Sequence, residues 1–420
     1  MSEMLPLLTI APAAGPDWAA GLRAAALDHA RDSGLPGART EAWKFTNVNA
    51  LKALEPVAVS GTRALTRPAA FAELPAVELH LSNGVLTHVG GVPAGVEVVD
   101  LAAEVPSWVS DTLGTIASTE RHPFAALNTA AFAGGVAIRI ARGAAVETPL
   151  LLLADTVGGA ATPIANPRVL VVVEDGAVAD LVEVHTGTGA YAANAVTEVS
   201  LGRDARLGHY KLQADSREAF HVAMTAVTCA AASTYDNFAL STGAKLARNE
   251  IRGTLAGERI DYAVNGGYLA AGDQHLDTTT FIDHAEPHCA SHELYKGVLA
   301  ERAHGVFQGK IMVRPDAQKT DGYQMNRALL LSREAEINSK PELEIYADDV
   351  KCSHGATVGE LEDDQLFYLM ARGIPRERAR AMLVAAYVDE AIDQIGREPV
   401  REAFRAAAAD WMHTHIAGAE

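Results

Sequence analysis

Glu198 to Leu212 reads EVSLGRDARLGHYKL, two short alternating runs separated by Gly202-Arg203-Asp204-Ala205. Alternation with a period of two places every second side chain on one face of an extended segment, so each run reads as a strand with one apolar side. The Gly-Arg-Asp-Ala break has the small and polar residues that turn a chain sharply. The same texture extends in both directions. VAIRI (136–140), PLLLLA (149–154), RVLVVVE (168–174) and ADLVEVH (179–185) alternate or run apolar, and each stops at a small polar turn. After each turn a weak echo recurs, a small residue and then an aliphatic two positions on: Ala144/Val146, Gly176/Val178, Ala205/Leu207, Ala244/Leu246 and Ala335/Ile337. Gly243, Gly257 and Gly272 mark turns about 14–15 residues apart, the scale of one short strand plus a corner. From Val136 to Tyr346 helical periodicity is nearly absent, so no crossover helices separate the strands. A sandwich, a barrel and a β-helix all satisfy these facts. The corner-like echo favours stacked coils, and the sandwich stays open.

The two ends read differently. Asp17, after Pro16, is positioned to cap a helix carrying Trp18, Leu22, Ala26 and Leu27 that stops near Gly34. Trp43 and Phe45 follow, as aromatics that pack an N-terminal segment onto the core. Leu81-Ser-Asn-Gly84, between 77–81 and 85–89, is a hairpin turn. At the other end Leu366, Phe367, Leu369 and Met370 form one apolar face of a helix that Gly373 stops. Val384, Tyr387, Val388, Ala391, Ile392 and Ile395 then make a helical stripe, and Pro399 restarts a last helix with Val400, Phe404 and Trp411. Such a tail is expected to cap the last coil of a solenoid or to bind a partner. The expected division is a mixed N-terminal segment at 1–110, a β core at 111–355 and a helical unit at 356–420.

Composition excludes several function classes. The chain has 420 residues, 49% hydrophobic and 21% charged, with a formal net charge of −18. That charge argues against a nucleic-acid surface and against docking on anionic membranes. Three widely spaced cysteines (Cys229, Cys289, Cys352) fit a reducing compartment better than a disulfide framework. MSEMLPLLTIAPAAG lacks the basic start of a signal peptide, and no apolar run approaches the ~20 residues of a membrane span, so a cytoplasmic protein is expected. There is no GxxxxGK[ST] phosphate loop and no GxSxG elbow.

One pair carries candidate chemistry. In DDVKCSHGATVG (348–359), Cys352 and His354 are two apart and share a face of an extended segment, roughly 6–7 Å from each other. A thiolate and an imidazole so placed suit one soft ion or an iron–sulfur cluster, but they are half of the usual ligand set. Another chain is therefore expected to complete the site. His354 is neutral near pH 7 and binds metal without first losing a proton, whereas Cys352 must ionise beside Asp348 and Asp349. Gly355 is expected to let a partner's backbone approach. Other groupings carry less. His284, His288 and His292 have helical spacing, but Pro287 and the strand-like LDTTTFID break that register. Asp273, Asp277, Asp283 and Glu286 suit a β-helix enzyme acting on carbohydrate only if two carboxylates face one another. Cys229, in AMTAVTCAAAS, reads as a buried structural residue.

DDVKCSHGATVG together with EDDQLFYLMARGIP (362–375), and with EAWKFTNV (41–48), resembles the SufB/SufD family of the Suf iron–sulfur cluster assembly complex. Ser353 and Gly355 stand where the SufB branch has acidic flanks around its histidine, which points to the SufD branch. The resemblance implies a mainly β fold, a right-handed parallel β-helix-like solenoid with α-helical N- and C-terminal parts. It implies a non-catalytic scaffold that pairs with SufB through the end of the β-helix, where an unpaired edge near Asp348–Gly359 invites strand addition. It also implies binding of the SufC ATPase through the helical tail, for which Leu366, Phe367, Tyr368 and Arg372 are the candidate contacts. A transient iron–sulfur cluster is expected at the SufB interface with His354, then Cys352, as ligands from this side; whether a flavin binds is left open. The rival readings are the carbohydrate-active β-helix enzyme and a metal-binding homodimer using Cys352 and His354 from both copies.

Overall fold

The computed structural model describes residues 15–37, 39–54, 57, 61–63, 65–159 and 161–416. The signal-peptide reading of the first fifteen residues falls almost wholly outside them. Successive strands alternate between two sheets. Leu150–Val157, Val178–Thr188, Arg206–Gln213, Thr234–Ser241, Asp261–Ala270, Ala290–Leu299, Asp321–Leu330 and Lys351–Gly359 lie side by side and parallel in one, termed here the tail-side sheet. Val136–Ile140, Arg168–Val173, Ala192–Leu201, Phe220–Cys229, Leu246–Leu255, His275–His284, His304–Val313 and Glu336–Ile345 form the other, the arm-side sheet. Two strands make one coil, and eight coils stack into a parallel β-solenoid. Gly243, Gly257 and Gly272 follow three successive strands, so the 14–15-residue spacing is half a coil. A full coil separates register partners such as His275 and His304.

The corners explain why the coils stack in register. Asp204, Ala232, Arg259, His288 and Lys319 each stand two residues before a tail-side strand and hold φ between 56° and 63°. A left-handed conformation is strained for a residue with a Cβ. Here it aims the N–H at the next coil: Asp204 donates to the carbonyl of Ala231, Ala232 to Glu258, Arg259 to Pro287, His288 to Gln318 and Lys319 to Asp349. Each strained corner is thus held by its neighbour. Gly257 serves a different need, since a Cβ there would sit 2.3 Å from the backbone nitrogen of Ala231.

Inward side chains of both sheets form one core in which large residues cross to small ones. Tyr262 reaches the opposite sheet where Gly253 lacks a side chain, and Tyr295 fills the place beside Gly266. The outer faces are covered from the two ends of the chain. Ala20–Ser33, stopped by Gly34 (φ 64°), and Pro123–Ala131 lie on the arm-side sheet with Trp43, which packs on Phe124 at 5.1 Å between ring centroids. Asp17 does not cap that helix. It lies within a short 3-10 turn ahead of it and makes no capping bond.

Arg376–Ile392 and Glu398–His415 lie on the tail-side sheet. Val384, Val388, Ile392 and Phe404 bury the outward Val182, Val184, Phe238 and Leu240, with Phe404 edge-to-face against both Phe71 and Phe238. Burying each such side chain contributes about 1.5–3 kcal/mol. This corrects the expectation of a cap over the last coil: the tail runs along the flank because the outward face of that sheet is itself apolar. Caps occur instead at the start. Val77–Ser82 turns back through Asn83 (φ 53°) and Gly84 (φ 83°) into antiparallel Val85–Val89, and Val96–Asp100 runs antiparallel to Val136–Ile140. No helix of the described residues is long and apolar enough to cross a membrane.

Candidate functional site at the open end of the solenoid

The last coil leaves two edges. Among the described residues Glu336–Ile345 pairs only with His304–Val313, and Lys351–Gly359 only with Asp321–Leu330. The two edges are not equivalent. On Glu336–Ile345 the N–H groups of Glu336 and Tyr346 bond inward, so by alternation residue 341 faces outward. That residue is Pro341, which has no N–H to offer, and Glu336, Lys340, Glu342 and Glu344 add charge. Proline and charge are the devices that blunt an exposed edge. On the other edge Lys351 bonds inward to Thr320, so the backbone groups of Cys352, His354, Ala356 and Val358 face outward. From Cys352 to Gly359 that strand has no proline and no Asp, Glu, Lys or Arg.

Cys352 and His354 therefore share the inward face of this bare strand. Cys352 packs against the main core, its sulfur over Gly322, and is half-buried. Burial pushes its thiol up, and Asp321 adds to that, while a backbone hydrogen bond from Gly322 opposes it. The acidic neighbour is thus Asp321 rather than Asp348 and Asp349, of which Asp349 is paired with Lys319. His354 is exposed and stands in register with Gln324. Gly355 faces the other side, where a Cβ would come within 2.7 Å of Met325. Its small size makes room for this chain's own methionine.

Behind His354 lies a buried polar column that the sequence did not disclose. Gln324 donates through Nε2 to Glu293 (2.7 Å), and Thr280 donates to the other carboxylate oxygen (2.6 Å). Both Gln324 and Glu293 are fully buried, and burial pushes the Glu293 carboxyl up to about 7. Gln324 Oε1, Tyr262 Oη and Tyr295 Oη are buried without partners among the described residues, places where ordered water is expected. Further in, Glu183 accepts from Thr197 (3.0 Å), His185 (2.9 Å) and His209 (2.8 Å), beside fully buried Lys211. Burial alone would raise the Glu183 carboxyl; the two histidines outweigh it and hold it well below the usual range. Alternation made these positions look inward-facing, but nothing in one sequence shows which inward polar residues meet across a core.

On the helix Asp363–Met370, Leu366 is buried, whereas Phe367 is 72% and Tyr368 56% exposed. The apolar face is thus split, with Leu366 inward and Phe367, Tyr368 and Met370 outward. Arg372 stacks its guanidinium 3.5 Å from the Tyr368 ring centroid. The histidine triplet does not converge: His284 ends a strand, His288 is a corner and His292 stacks on Tyr323. Asp273, Asp277 and Asp283 are separately paired with Arg302, Arg248 and Arg314, so the carbohydrate-enzyme geometry is not formed by them. Cys229 is fully buried, its thiol pushed up to about 12 by that burial. Among the described residues no three His, Cys, Asp or Glu side chains are placed to hold a metal ion together.

Residues 156–387 match the family described as SUF system FeS cluster assembly, SufBD core domain. An iron–sulfur cluster assembly SufBD family protein of Synechocystis is 35% identical over 383 residues, 86% of this chain and 84% of the relative. The iron–sulfur cluster assembly protein SufD of Escherichia coli is 30% identical over 376 residues, 88% of each chain. A SufBD family protein of Mycobacterium leprae is 32% identical over 231 residues, 53% of this chain and 58% of the relative.

Proposed function

The chain belongs to the SufBD family of the SUF iron–sulfur cluster assembly system, and from that premise we propose that it is a non-catalytic scaffold subunit pairing with SufB through its open end. The observation that carries this reading is the unequal pair of edges. One is blunted by Pro341 and charge; the other is bare and presents Cys352 and His354 on its inward face. A strand added there gains backbone hydrogen bonds along its length and brings a second chain's side chains over the same mouth. Two ligands from this chain and the rest from SufB would then hold a nascent cluster, the cargo of the system. His354, exposed at the open edge, is the first ligand; Cys352, half-buried with its thiol pushed up by that burial, is the second.

The SufC ATPase is assigned to the C-terminal helices, from Asp363 onward, with Phe367, Tyr368 and Arg372 as its contacts and the buried Leu366 as the anchor that positions them. An exposed aromatic pair on a short helix suits a partner groove. The test is co-expression with SufB and SufC, scoring subunit ratio, iron content and cluster absorbance. His354→Ala is expected to lower cluster content while the complex stays assembled, and Cys352→Ser to lower it less. Phe367→Ser with Tyr368→Ser is expected to release SufC alone. Full cluster loading with His354→Ala removes the ligand assignment. Iron and sulfide loading of the isolated chain, without SufB, supports the homodimer instead.

A further inference from the structure

Far from the open-end pair, on the outward face of the arm-side sheet, two imidazoles meet. His275 and His304 are register partners on adjacent strands. Their Nδ1 atoms are 3.2 Å apart, with rings edge-to-face at 4.7 Å between centroids. The outer nitrogens decide which atoms carry hydrogen. Thr46 gives its single hydroxyl hydrogen to Asp277 (2.5 Å), so toward His275 Nε2, at 2.9 Å, it accepts. His275 Nε2 therefore bears the hydrogen and Nδ1 a lone pair. His304 Nε2 lies 2.7 Å from Asn338 Oδ1, a carbonyl oxygen that only accepts, so His304 too carries its hydrogen on Nε2. Two lone pairs then face one another at hydrogen-bond distance. That contact is repulsive unless a cation sits between them.

We propose that His275 and His304 form a binding site for a divalent transition-metal ion, of the zinc and cobalt class, through their two Nδ1 atoms. Imidazole nitrogens bound to one tetrahedral ion at 2.0–2.1 Å stand about 3.3 Å apart, which the observed 3.2 Å matches. Each ring also has the outer partner that metal-binding histidines need, Asp277 through the Thr46 hydroxyl for one and the Asn338 amide for the other. Asp277 is itself fixed by Arg248 (2.5 Å) and Thr279 (2.9 Å). Glu336 is the register partner of His304 on the last strand, is exposed, and has no side-chain hydrogen bond or ion pair among the described residues. Rotation of its side chain offers a third ligand, and water completes the set. The ion would lock the arm that carries Thr46 onto the last coils.

The test uses the full chain, purified without a histidine tag, stripped with chelator and titrated with Co²⁺ or Zn²⁺ alone. The expected result is one ion at this site, with visible Co²⁺ bands, and binding weaker by about tenfold or more in His304→Ala. His354→Ala with Cys352→Ser, which removes the open-end pair, should leave that binding unchanged. Equal binding by wild type and His304→Ala overturns the proposal. If His304→Ala does not fold by circular dichroism, imidazole ¹⁵N spectra of the wild type decide. Nδ1 resonances without a bound hydrogen that move on adding Zn²⁺ support the site. A hydrogen on one Nδ1, indifferent to Zn²⁺, means a direct imidazole hydrogen bond and overturns it.

Discussion

Replacing Glu293 by Gln should make the solenoid more stable at high pH and leave it nearly unchanged at low pH. The carboxyl is fully buried, and burial raises it from 4.5 to about 7. The folded chain therefore keeps a proton over a window in which the unfolded chain has lost it. The stability linked to that proton is fully present below pH 4.5 and is lost as pH rises through 7. The window between 4.5 and about 7, at about 1.4 kcal/mol per pH unit, corresponds to about 3 kcal/mol. Gln is close in shape to the protonated acid: Thr280 still donates to its oxygen, and with the Gln324 amide turned over its N–H donates to Gln324 Oε1 in place of the present bond from Gln324 Nε2. Urea unfolding of wild type and Glu293→Gln, followed by far-ultraviolet circular dichroism from pH 5 to pH 8, measures the difference directly. Groups shared by both proteins cancel. The variant should gain about 2.5 kcal/mol on wild type across that range, the rest of the effect lying below pH 5. A difference that stays flat from pH 5 to pH 8 refutes the reasoning, because Glu293 would then be charged in the folded chain throughout.

Gly297→Ala places a Cβ 2.0 Å from the Tyr268 ring inside the core and should lower stability by about 1–3 kcal/mol, read as a lower melting temperature. Ala356→Pro removes an N–H that faces the open edge, so the melting temperature of the isolated chain should hold while co-purification with SufB is lost. Trp43→Ala removes the ring on which Arg248 stacks at 4.1 Å and which packs on Phe124. It should cost about 3–5 kcal/mol and speed proteolysis near Gly34, because the N-terminal arm loses its anchor.

The strand texture, the half-coil spacing and the N- and C-terminal helices were legible because period-two alternation and small corner residues are local signals. Stacking of the coils was not, since a two-sheet solenoid and a sandwich present the same alternation; the family resemblance separated them. The helix Pro123–Ala131 escaped notice because Phe124 through Ala131 are buried all round, so no apolar stripe marks it. The tail helices were visible, but their place along the flank was not. That placement depends on the outward face of the tail-side sheet also being apolar, as Val182, Val184 and Leu240 are. At the open end Cys352 and His354 were legible as a pair on one face. Gln324 and Glu293 beneath them were not, because they meet only when strands some thirty residues apart in sequence lie side by side.

The antiparallel strands at the start of the solenoid limit how many chains can join. A stack of parallel coils could in principle grow from both ends, each chain adding its first coil to the last coil of another. Val85–Val89 and Val96–Asp100 run against the direction of the coils, so a further parallel coil finds no matching template at that end. Growth is one-sided. Two chains that meet through their open ends consume both growth points at once, and the assembly terminates as a closed pair instead of a filament.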